Sequence, residues 1–457
     1  MKLHQSAPTP ATSHESQEGN PWFFVPSISL WSGLVNVVLF SIPTVILKDR
    51  GYSNTFIGLS TLVTIPYAIK FLWGPIVDSW ATKRAWILRM AEVQTLLWCV
   101  LLVIVIAPTL SVPAFLTLLF ILSIFKGPQE IALVGYYLVA LSRADQAKFI
   151  GIRPLTSRLA MVTTGSVLVA GAGIFGKVVG AGDPRYTWGF YFACLILIYT
   201  IAYFWVRMTC PFPPADAPIK VPQGQSRWNS LAEPFRALLR IKGILLAVLF
   251  ILFVRAGEAF IQRMVVPFYM DSRAVGGYAS DVTQVGLIGA VGLLGATLGA
   301  LLSGFFIKKY GIRKIMGWFI AATIFPNLIY TILAIFKVDT DIAVNLIPVG
   351  IDYSTNINLA LVCAAFGENL GYGLGFSATE YFLFSVSRGT HQTTIAGVLL
   401  SVLYFCTLIF GSMSGWVQSQ SGWAWFFVIS VIISMPVFLI IPRLQYPDEQ
   451  PNQQPTK

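Results

Sequence analysis

The chain has 457 residues, of which 56% are hydrophobic and 11% are charged, and its mean hydropathy is +0.71. A water-soluble domain is about one-quarter charged, so this composition excludes one. The net charge of +11 does not require nucleic acid as a partner, because the basic residues cluster between apolar segments, as they do in membrane proteins. Five cysteines without paired spacing predict neither a disulfide framework nor a zinc site.

Apolar runs long enough to cross a hydrocarbon layer of about 30 Å recur along the chain. Such runs are typical of helices and not of barrels, so we predict an all-α membrane protein with about twelve transmembrane helices. Residues 1–20 are polar and lack the order of a cleavable signal peptide, and residues 1–25 are expected to form a tail. The predicted spans are 26–46, 54–76, 86–107, 112–140, 153–175, 188–207, 243–269, 282–307, 313–335, 357–386, 393–418 and 422–442.

One long polar stretch, residues 208–242, interrupts this series and is rich in proline. It separates six predicted spans from six, as a linker between two domains does. We therefore expect a six-helix bundle at 26–207, a second six-helix bundle at 243–442 and a polar tail at 443–457.

Basic residues are distributed unequally between the two sides of these spans. Of the 31 Lys and Arg residues, five lie within spans and six lie on the side of the membrane opposite to the termini. The remaining 20 lie on the same side as the termini. Basic residues concentrate on the cytoplasmic side, so we predict an inner-membrane protein with cytoplasmic tails and linker. The six on the other side are Lys48, Arg50, Lys177, Arg185, Arg273 and Lys337.

A short pattern recurs between the second and third spans of each half. Its members, at equal offsets 230 residues apart, are Gly74, Asp78, Lys83 and Arg84, and then Gly304, Lys308, Arg313 and Lys314. The pattern resembles the loop motif of the major facilitator superfamily. In that motif a glycine permits close helix approach, and an acid caps a neighbouring helix or pairs with the bases. The second copy has a lysine, Lys308, at the acidic position.

Charged residues within the predicted spans are the candidates for function. An ionised side chain at the bilayer centre costs about 2.5 to 3.5 kcal/mol on insertion scales, so it needs a partner or water. The candidates are Lys70, Lys126, Glu130, Arg158, Arg255, Glu258, Arg263, Glu368 and Glu380.

Lys126 and Glu130 stand four residues apart on one face of the fourth span and enclose Gly127 and Pro128. The proline removes a backbone hydrogen bond and predicts a kink near the midplane, which suits the path of a polar solute. The alternative is a self-neutralising pair beside a kink that only serves packing.

Arg158 lies one or two turns inside the fifth span, from where its guanidinium is expected to reach a carboxylate such as Glu130 or to bind an anionic solute. The alternative is that the Arg158 side chain extends back to the nearby membrane interface. Lys70 in the second span is likewise expected either to extend to the interface or to face the cavity.

In the seventh span, Arg255 and Glu258 are three residues apart and favour a structural ion pair, with a gating role as the alternative. Glu368 stands in a glycine-rich run of the tenth span, residues 367–375, and is a candidate proton acceptor. Its alternative is a carboxylate held by a basic partner, Lys70 or Arg255.

An enzyme is the alternative of a different class. Asp339 and Asp341 form an acidic pair, but it stands alone in a short loop, and the three histidines form no cluster, so we predict neither a metal site nor a cofactor. We find no phosphate-binding glycine-rich loop followed by Lys and Ser or Thr, which disfavours a self-contained ATP-driven pump.

A longer resemblance covers most of residues 26–442. Residues 62–78, which include Pro66, Tyr67 and Lys70, resemble the second span of the peptide, acetyl-CoA and drug transporter family, which includes AmpG-type muropeptide permeases. Residues 128–132 resemble that family's fourth span, and residues 151–160 its fifth. The chain departs from the family pattern at Glu130, which replaces an aspartate, at Val134, which replaces an acid, and at Ser157, which replaces a tyrosine.

This resemblance implies a symporter that alternates access around a midplane cavity between two bundles. We expect import of a small anionic or zwitterionic solute of the muropeptide class, driven by protons, in a monomer. Siderophore and CoA-ester permeases share the second-span motif and remain alternatives, as does a receptor that transports nothing. The expected substrate and coupling residues are Glu130, Arg158, Lys126, Glu368, Lys70, Arg255 and Glu258.

Overall fold

The computed structural model describes residues 20–142, 145–146, 149, 152–213, 216–217, 243–345, 353–387 and 392–446. Within these ranges, eleven helical stretches are long and apolar enough to cross a membrane, and the last, Gly397–Arg443, has 47 residues and holds two spans. Gly422, with φ of 71°, separates the eleventh span from the twelfth. The prediction of an all-α membrane protein with about twelve transmembrane helices in two six-helix bundles is confirmed.

Helices of the first half begin at side-chain caps where the sequence supplies them. Ser53 accepts a hydrogen bond from the backbone N–H of Phe56, and Thr82 accepts one from that of Ala85. The second span is irregular, with two 3₁₀ segments. The helices are Pro21–Phe40, Ile42–Asp49, Asn54–Leu59, Ser60–Thr64 (3₁₀), Ile65–Ala68, Lys70–Trp73 (3₁₀), Gly74–Trp80, Lys83–Ile106, Val112–Ala140, Ile152–Val162, Thr163–Val167 (π), Leu168–Val178 and Pro184–Thr209.

The second half follows the same plan. Asp281 and Gln284 form a reciprocal capping box at the start of the eighth span, and Pro326 divides the ninth span into two helices. The helices are Ile244–Met270, Arg273–Val275 (3₁₀), Val282–Tyr310, Ile312–Ile324, Asn327–Phe336, Leu359–Val386, Gln392–Ser434, Val437–Ile440 and Ile441–Arg443 (3₁₀). Strands Asp341–Asn345 (β1) and Ser354–Asn358 (β2) form an antiparallel hairpin between the ninth and tenth spans, which the apolar pattern did not predict.

Glycines of the tenth span allow close packing, as predicted. A Cβ at Gly371 would lie 1.8 Å from the carbonyl oxygen of Ala322, and one at Gly373 would lie 2.2 Å from that of Ala296. The motif glycines Gly74 and Gly304 differ, because a Cβ at either would meet no atom within 4 Å. Neither motif glycine therefore lies at a close helix contact in this conformation.

The two halves contact each other on one side of the membrane. We call the face where the sixth span ends and the seventh begins the linker face, and the opposite face, with residues 50–53 and 271–281, the sealed face. The buried apolar core is continuous between the halves towards the sealed face. A second core lies towards the linker face and contains only residues of the second half. The space between the halves is therefore closed at the sealed face.

Candidate functional site

A buried cluster of three polar side chains joins the first and fourth spans. The Lys126 ammonium donates to Glu130 Oε2 at 2.7 Å and to Ser32 Oγ at 2.9 Å, and the Ser32 hydroxyl donates to Glu130 Oε2 at 2.9 Å. Lys126 has an exposed fraction of 0%, whereas the Glu130 side chain is 25% exposed. The structure thus brings the predicted pair together, and of the two side chains only that of Glu130 is partly exposed.

The fourth span remains α-helical through Pro128, from Val112 to Ala140. Gly127, next to the proline, is where the second span comes close, because a Cβ there would lie 3.1 Å from the Trp73 ring. The sequence Lys126, Gly127, Pro128 therefore places the buried pair directly against the irregular second span.

Lys70 lies between the two halves and does not extend to the interface. Its ammonium donates to the Tyr67 hydroxyl at 3.0 Å and lies 4.4 Å and 4.7 Å from the ring centroids of Tyr67 and Tyr404. The charge is close enough to interact electrostatically with Glu130 in the first half and Glu380 in the second. Lys70 was predicted either to extend to the membrane interface or to face the space between the halves. Its contacts with Tyr67 and Tyr404 agree with the second position.

Arg158 and Glu380 face each other across the space between the halves. Arg158 is half-buried and interacts electrostatically with Glu380 and with Tyr372, both on the tenth span. In the part of the chain that the structure describes, Arg158 makes no hydrogen bond to Glu130, which differs from the expected contact. Arg153, one turn earlier, is within electrostatic range of Glu130.

Arg255 and Glu258 do not form a direct ion pair. The Arg255 guanidinium donates to Thr407 Oγ1 at 3.0 Å and to Gln262 Oε1 at 3.3 Å. The Gln262 amide donates in turn to Glu258 Oε1 at 3.0 Å. An uncharged bridge therefore replaces the ion pair expected from the spacing, since Gln262 lies on the same helical face.

Glu368 is held by neither Lys70 nor Arg255. Its carboxylate accepts a hydrogen bond of 2.5 Å from the Asn369 amide and lies within electrostatic range of Glu258. Both glutamates are at most 5% exposed, and Oε2 of Glu258 has no hydrogen-bond partner among the described residues. Two buried carboxyl groups therefore approach each other in the second half.

The first copy of the loop motif is bonded to the end of the sixth span. Asp78 pairs with Lys83 at 3.3 Å. Asp216, at the start of the linker, accepts hydrogen bonds from the backbone N–H groups of Lys83 and Arg84 at 2.7 and 3.0 Å. The Arg84 guanidinium also donates to the backbone carbonyl of Cys210. Asp216 thus caps the third span, which the motif alone did not reveal.

A polar network centred on Asp271 joins the halves at the sealed face. Lys48 of the first half pairs with Asp271, and the Asn54 amide donates to Asp271 at 2.9 Å and to Gln418 at 2.8 Å. The Trp423 indole N–H donates to the same carboxylate at 3.2 Å. Asp271 is the acceptor that both halves share.

Two further polar contacts join the halves near this face. Lys177 pairs with Asp281 at 2.5 Å, and Arg263, which is 7% exposed, donates to Thr44 at 2.7 Å. These contacts and the Asp271 network all lie on the sealed side of Lys70.

Backbones of the two halves also approach closely at the sealed face. A Cβ at Gly415 would lie 1.9 Å from the carbonyl oxygen of Asn54, and one at Gly58 would lie 2.9 Å from the backbone nitrogen of Gly415. The second and eleventh spans therefore pack backbone against backbone at this face, where a larger side chain has no room.

The acidic pair of the loop sequence lies beside the hairpin. Asp339 pairs with Arg273 at 2.6 Å, and this hydrogen bond holds the pKa of the Asp339 carboxyl below its usual range. Asp341 begins β1. The Asp339 side chain is 56% exposed, so this ion pair contributes little to stability.

Comparisons with known proteins agree with this geometry. The model of the Major Facilitator Superfamily matches residues 254–457. The fold resembles the solved structure of a point mutant of the nucleoside transporter NupG, with a TM-score of 0.67, 16% identity, and 92% of this chain and 99% of that chain covered. A D-xylose-proton symporter gives 0.64 at 12% identity, with 92% and 96% covered. The fold is therefore that of the major facilitator transporters, and the sequence model of this superfamily matches the second half of the chain.

Bacterial relatives are similar to the chain over most of its length. The chain is 24% identical over 403 residues to a protein named "Putative transporter AmpG 1" from Rickettsia bellii, and the match covers 85% of this chain and 89% of that protein. The resemblance to AmpG-type transporters predicted from the second, fourth and fifth spans is confirmed. This relative and the two structural neighbours above are named as transporters, in agreement with the prediction that the chain is not an enzyme.

We expect Asp271→Ala to lower the stability of the purified protein by about 1 to 3 kcal/mol, because Lys48, Asn54 and Trp423 would lose a shared acceptor. The unfolding temperature in detergent measures this loss. Asp339→Ala is the matched control, since it removes an exposed ion pair within one half on the same side and should leave the temperature unchanged. Equal effects of the two substitutions would contradict a joining role for Asp271.

Proposed function

We propose that the chain is a proton-coupled importer of an anionic or zwitterionic solute. The supporting observation is the arrangement of charge between the halves. Five cations lie here, and the carboxylates are four: Glu130, Glu258 and Glu380 within electrostatic range of a cation, and Glu368 beside Glu258. The cations are Lys70, Lys126, Arg153, Arg158 and Arg255, so one positive charge is left over when all four carboxylates are ionised. Lys70 and Arg158 make no ion pair within 4.0 Å in the described part of the chain, so two cations remain available to an anionic ligand.

The solute and a proton meet at Glu130. Lys126 is enclosed behind this carboxylate, so a solute in the cavity faces Glu130 first. An ionised Glu130 repels an anionic solute, and a protonated Glu130 leaves Lys126 as an uncompensated buried cation, which costs free energy. An acidic group of the solute close to Lys70 restores neutrality. Proton binding and solute binding therefore favour each other, as symport requires.

Glu368 and Glu258 are the proposed second proton site. Two carboxyl groups at close range in an apolar surrounding are unfavourable when both are ionised. Neither is bonded directly to a cation among the described residues, and Arg255 binds Thr407 and Gln262 instead. A proton shared between these two glutamates lowers the free energy of the arrangement closed at the sealed face.

The linker face is the proposed cytoplasmic face, because it carries most of the basic residues. The state described here is then closed towards the periplasm. The remaining assignments follow: an inner-membrane protein with cytoplasmic tails at 1–25 and 443–457, a linker at 208–242 and bundles at 26–207 and 243–442. Opening of the Asp271 network, with closure at the linker face, gives alternating access.

The proposed solute class is the muropeptides, by resemblance to AmpG-type proteins, with siderophores and CoA esters as alternatives. A thermal-shift screen of the purified protein against the three classes distinguishes them, because a ligand that binds the folded form raises its unfolding temperature. Counterflow of the stabilising compound in proteoliposomes then tests transport. A membrane enzyme or a receptor would exchange no label.

We expect Glu130→Gln to abolish gradient-driven uptake of labelled muropeptide into proteoliposomes, because the amide keeps the volume and removes the titratable group. Exchange of solute down its own gradient should survive. Glu92→Gln, which changes an exposed glutamate hydrogen-bonded to Tyr203, serves as the control. Wild-type uptake with an unchanged pH dependence in Glu130→Gln would show that Glu130 does not couple.

Arg158→Lys should weaken solute binding by about 1.5 to 3 kcal/mol, because an ammonium cannot form the bidentate contact of a guanidinium with a carboxylate or phosphate. The shift in unfolding temperature as a function of ligand concentration measures the affinity. Arg89→Lys, at an exposed position of the third span, is the matched control. Unchanged affinity, or strongest stabilisation by a lipophilic cation, would refute the anion site.

Reporter fusions test the orientation. A reporter active only in the cytoplasm should be active when fused after Gln225 in the linker or after Gln453 in the tail, because 20 basic residues lie on that side and six on the other. Periplasmic activity at both positions would reverse the assignment.

A further inference from the structure

Arg263, on the seventh span, is a buried cation between the halves. It is 7% exposed, and within the described ranges it makes one hydrogen bond, of 2.7 Å to Thr44 Oγ1 of the first half. Among the described residues, no carboxylate lies within 4.0 Å of its nitrogen atoms. A guanidinium has several N–H donors, so a single neutral oxygen leaves most of them unused. A buried charge without a counter-ion is unfavourable, and within a membrane protein it indicates a functional site.

The acidic residues nearest to this contact along the chain have other partners. Asp271 pairs with Lys48. Glu258, five residues closer to the linker face on the same span, lies within electrostatic range of Glu368. On the side of the first half, Asp49 accepts a hydrogen bond of 2.7 Å from a tryptophan indole of the sixth span. The arginine therefore carries a positive charge that these carboxylates do not neutralise.

Three aromatic rings bridge the two halves on the sealed side of Lys70. They are Phe40, Tyr67 and Tyr404, and the centroids of each pair lie 5.3 to 6.3 Å apart. Phe40 ends the first helix, and Thr44 follows it by four residues towards the sealed face. The contact of Thr44 with Arg263 therefore lies beyond the rings, as seen from Lys70.

The Asp271 network lies on the other side of this contact. Lys48, which pairs with Asp271, follows Thr44 by four residues, and Asp271 follows Arg263 by eight. The arginine is thus enclosed between the aromatic rings and the network. Once the network has opened, a solute that arrives at the sealed face meets this unpaired cation before it reaches the cavity.

We propose that Arg263 and Thr44 form an outer anion site, which binds a carboxylate or phosphate group of the solute after the sealed face has opened. A guanidinium binds either group through two parallel hydrogen bonds, and a hydroxyl donates a third. In the closed state the Thr44 hydroxyl takes the place of the anion. An anion that binds only the open state favours opening, and closure passes the group on to Lys70. This inference rests on the proposed import of an anionic solute.

The test compares the rates at which a thiol at this contact reacts with an anionic and a cationic methanethiosulfonate reagent of similar size. Thr44→Cys supplies the thiol in the full-length protein, purified in detergent, with the five native cysteines replaced by alanine. We expect Arg263→Gln to lower the ratio of the anionic to the cationic rate about tenfold, because an unpaired charge beside the thiol attracts one reagent and repels the other. Arg263→Lys keeps the charge and should keep the ratio within about twofold.

Arg185→Gln is the matched control, because it removes a partly exposed arginine that pairs with Asp183 on the same side of the membrane. It should leave the ratio unchanged. Gel filtration establishes that each variant is folded and monodisperse. A thiol that reacts with neither reagent, or a ratio on which Arg263→Gln and Arg185→Gln have equal effects, would overturn the proposal. This measurement uses no solute, so its failure is distinct from a failure of the proposed function.

Protection by ligands identifies the source of the anion. The compound that exchanges in counterflow should slow the reaction of Thr44→Cys with the anionic reagent at a lower concentration than inorganic phosphate does. Arg263→Gln should weaken this protection about tenfold, because it removes the charge-assisted hydrogen bonds. Equal protection by inorganic phosphate would overturn the assignment to the solute, in favour of a site for small inorganic anions.

Discussion

Neutralisation of Lys126 is the constraint on which the first bundle depends. An ammonium with no exposed surface in the middle of a membrane protein needs an anion within hydrogen-bond distance, and Glu130 one turn away supplies it. Ser32 completes the coordination and ties the first span to the fourth. The Glu130 side chain is 25% exposed, so the pair that stabilises the bundle is also the pair on which the proposed coupling depends.

The two faces of the protein are held by different kinds of interaction. At the sealed face, close backbone approach at Gly415 is combined with one shared acceptor, Asp271. Towards the linker face, each half has its own support: Asp216 ties the third span to the start of the linker, and a separate apolar core fills the second half. The halves are therefore joined at the sealed face, whereas towards the linker face each half is stabilised separately.

Sequence predicted the spans well, because apolar length is a property of continuous segments. It also placed Lys126 beside Glu130, since their spacing fixes one helical face. The sequence did not predict those contacts in which the partner residue lies far along the chain. No local pattern marks three of these partners, which are uncharged or distant in sequence. They are Asp216, which caps the third span, Thr407, which binds Arg255, and Tyr404, whose ring lies beside Lys70.

The motif glycines Gly74 and Gly304 have open space around them in this conformation, although the resemblance suggested close packing at both positions. Packing depends on what the neighbouring helix presents, and a motif within one segment carries no information about that neighbour.

The left-handed corner at Gly422 has a mechanical consequence. It joins the eleventh and twelfth spans without a loop, so the two helices are connected directly at this residue. Gln418 before the corner binds Asn54 of the first half, and Trp423 after it binds Asp271. Because Asp271 and Trp423 both belong to the second half, the corner holds Gln418 and the acceptor Asp271 on one surface that faces Asn54. Loss of the contacts of Asn54 therefore releases both at once.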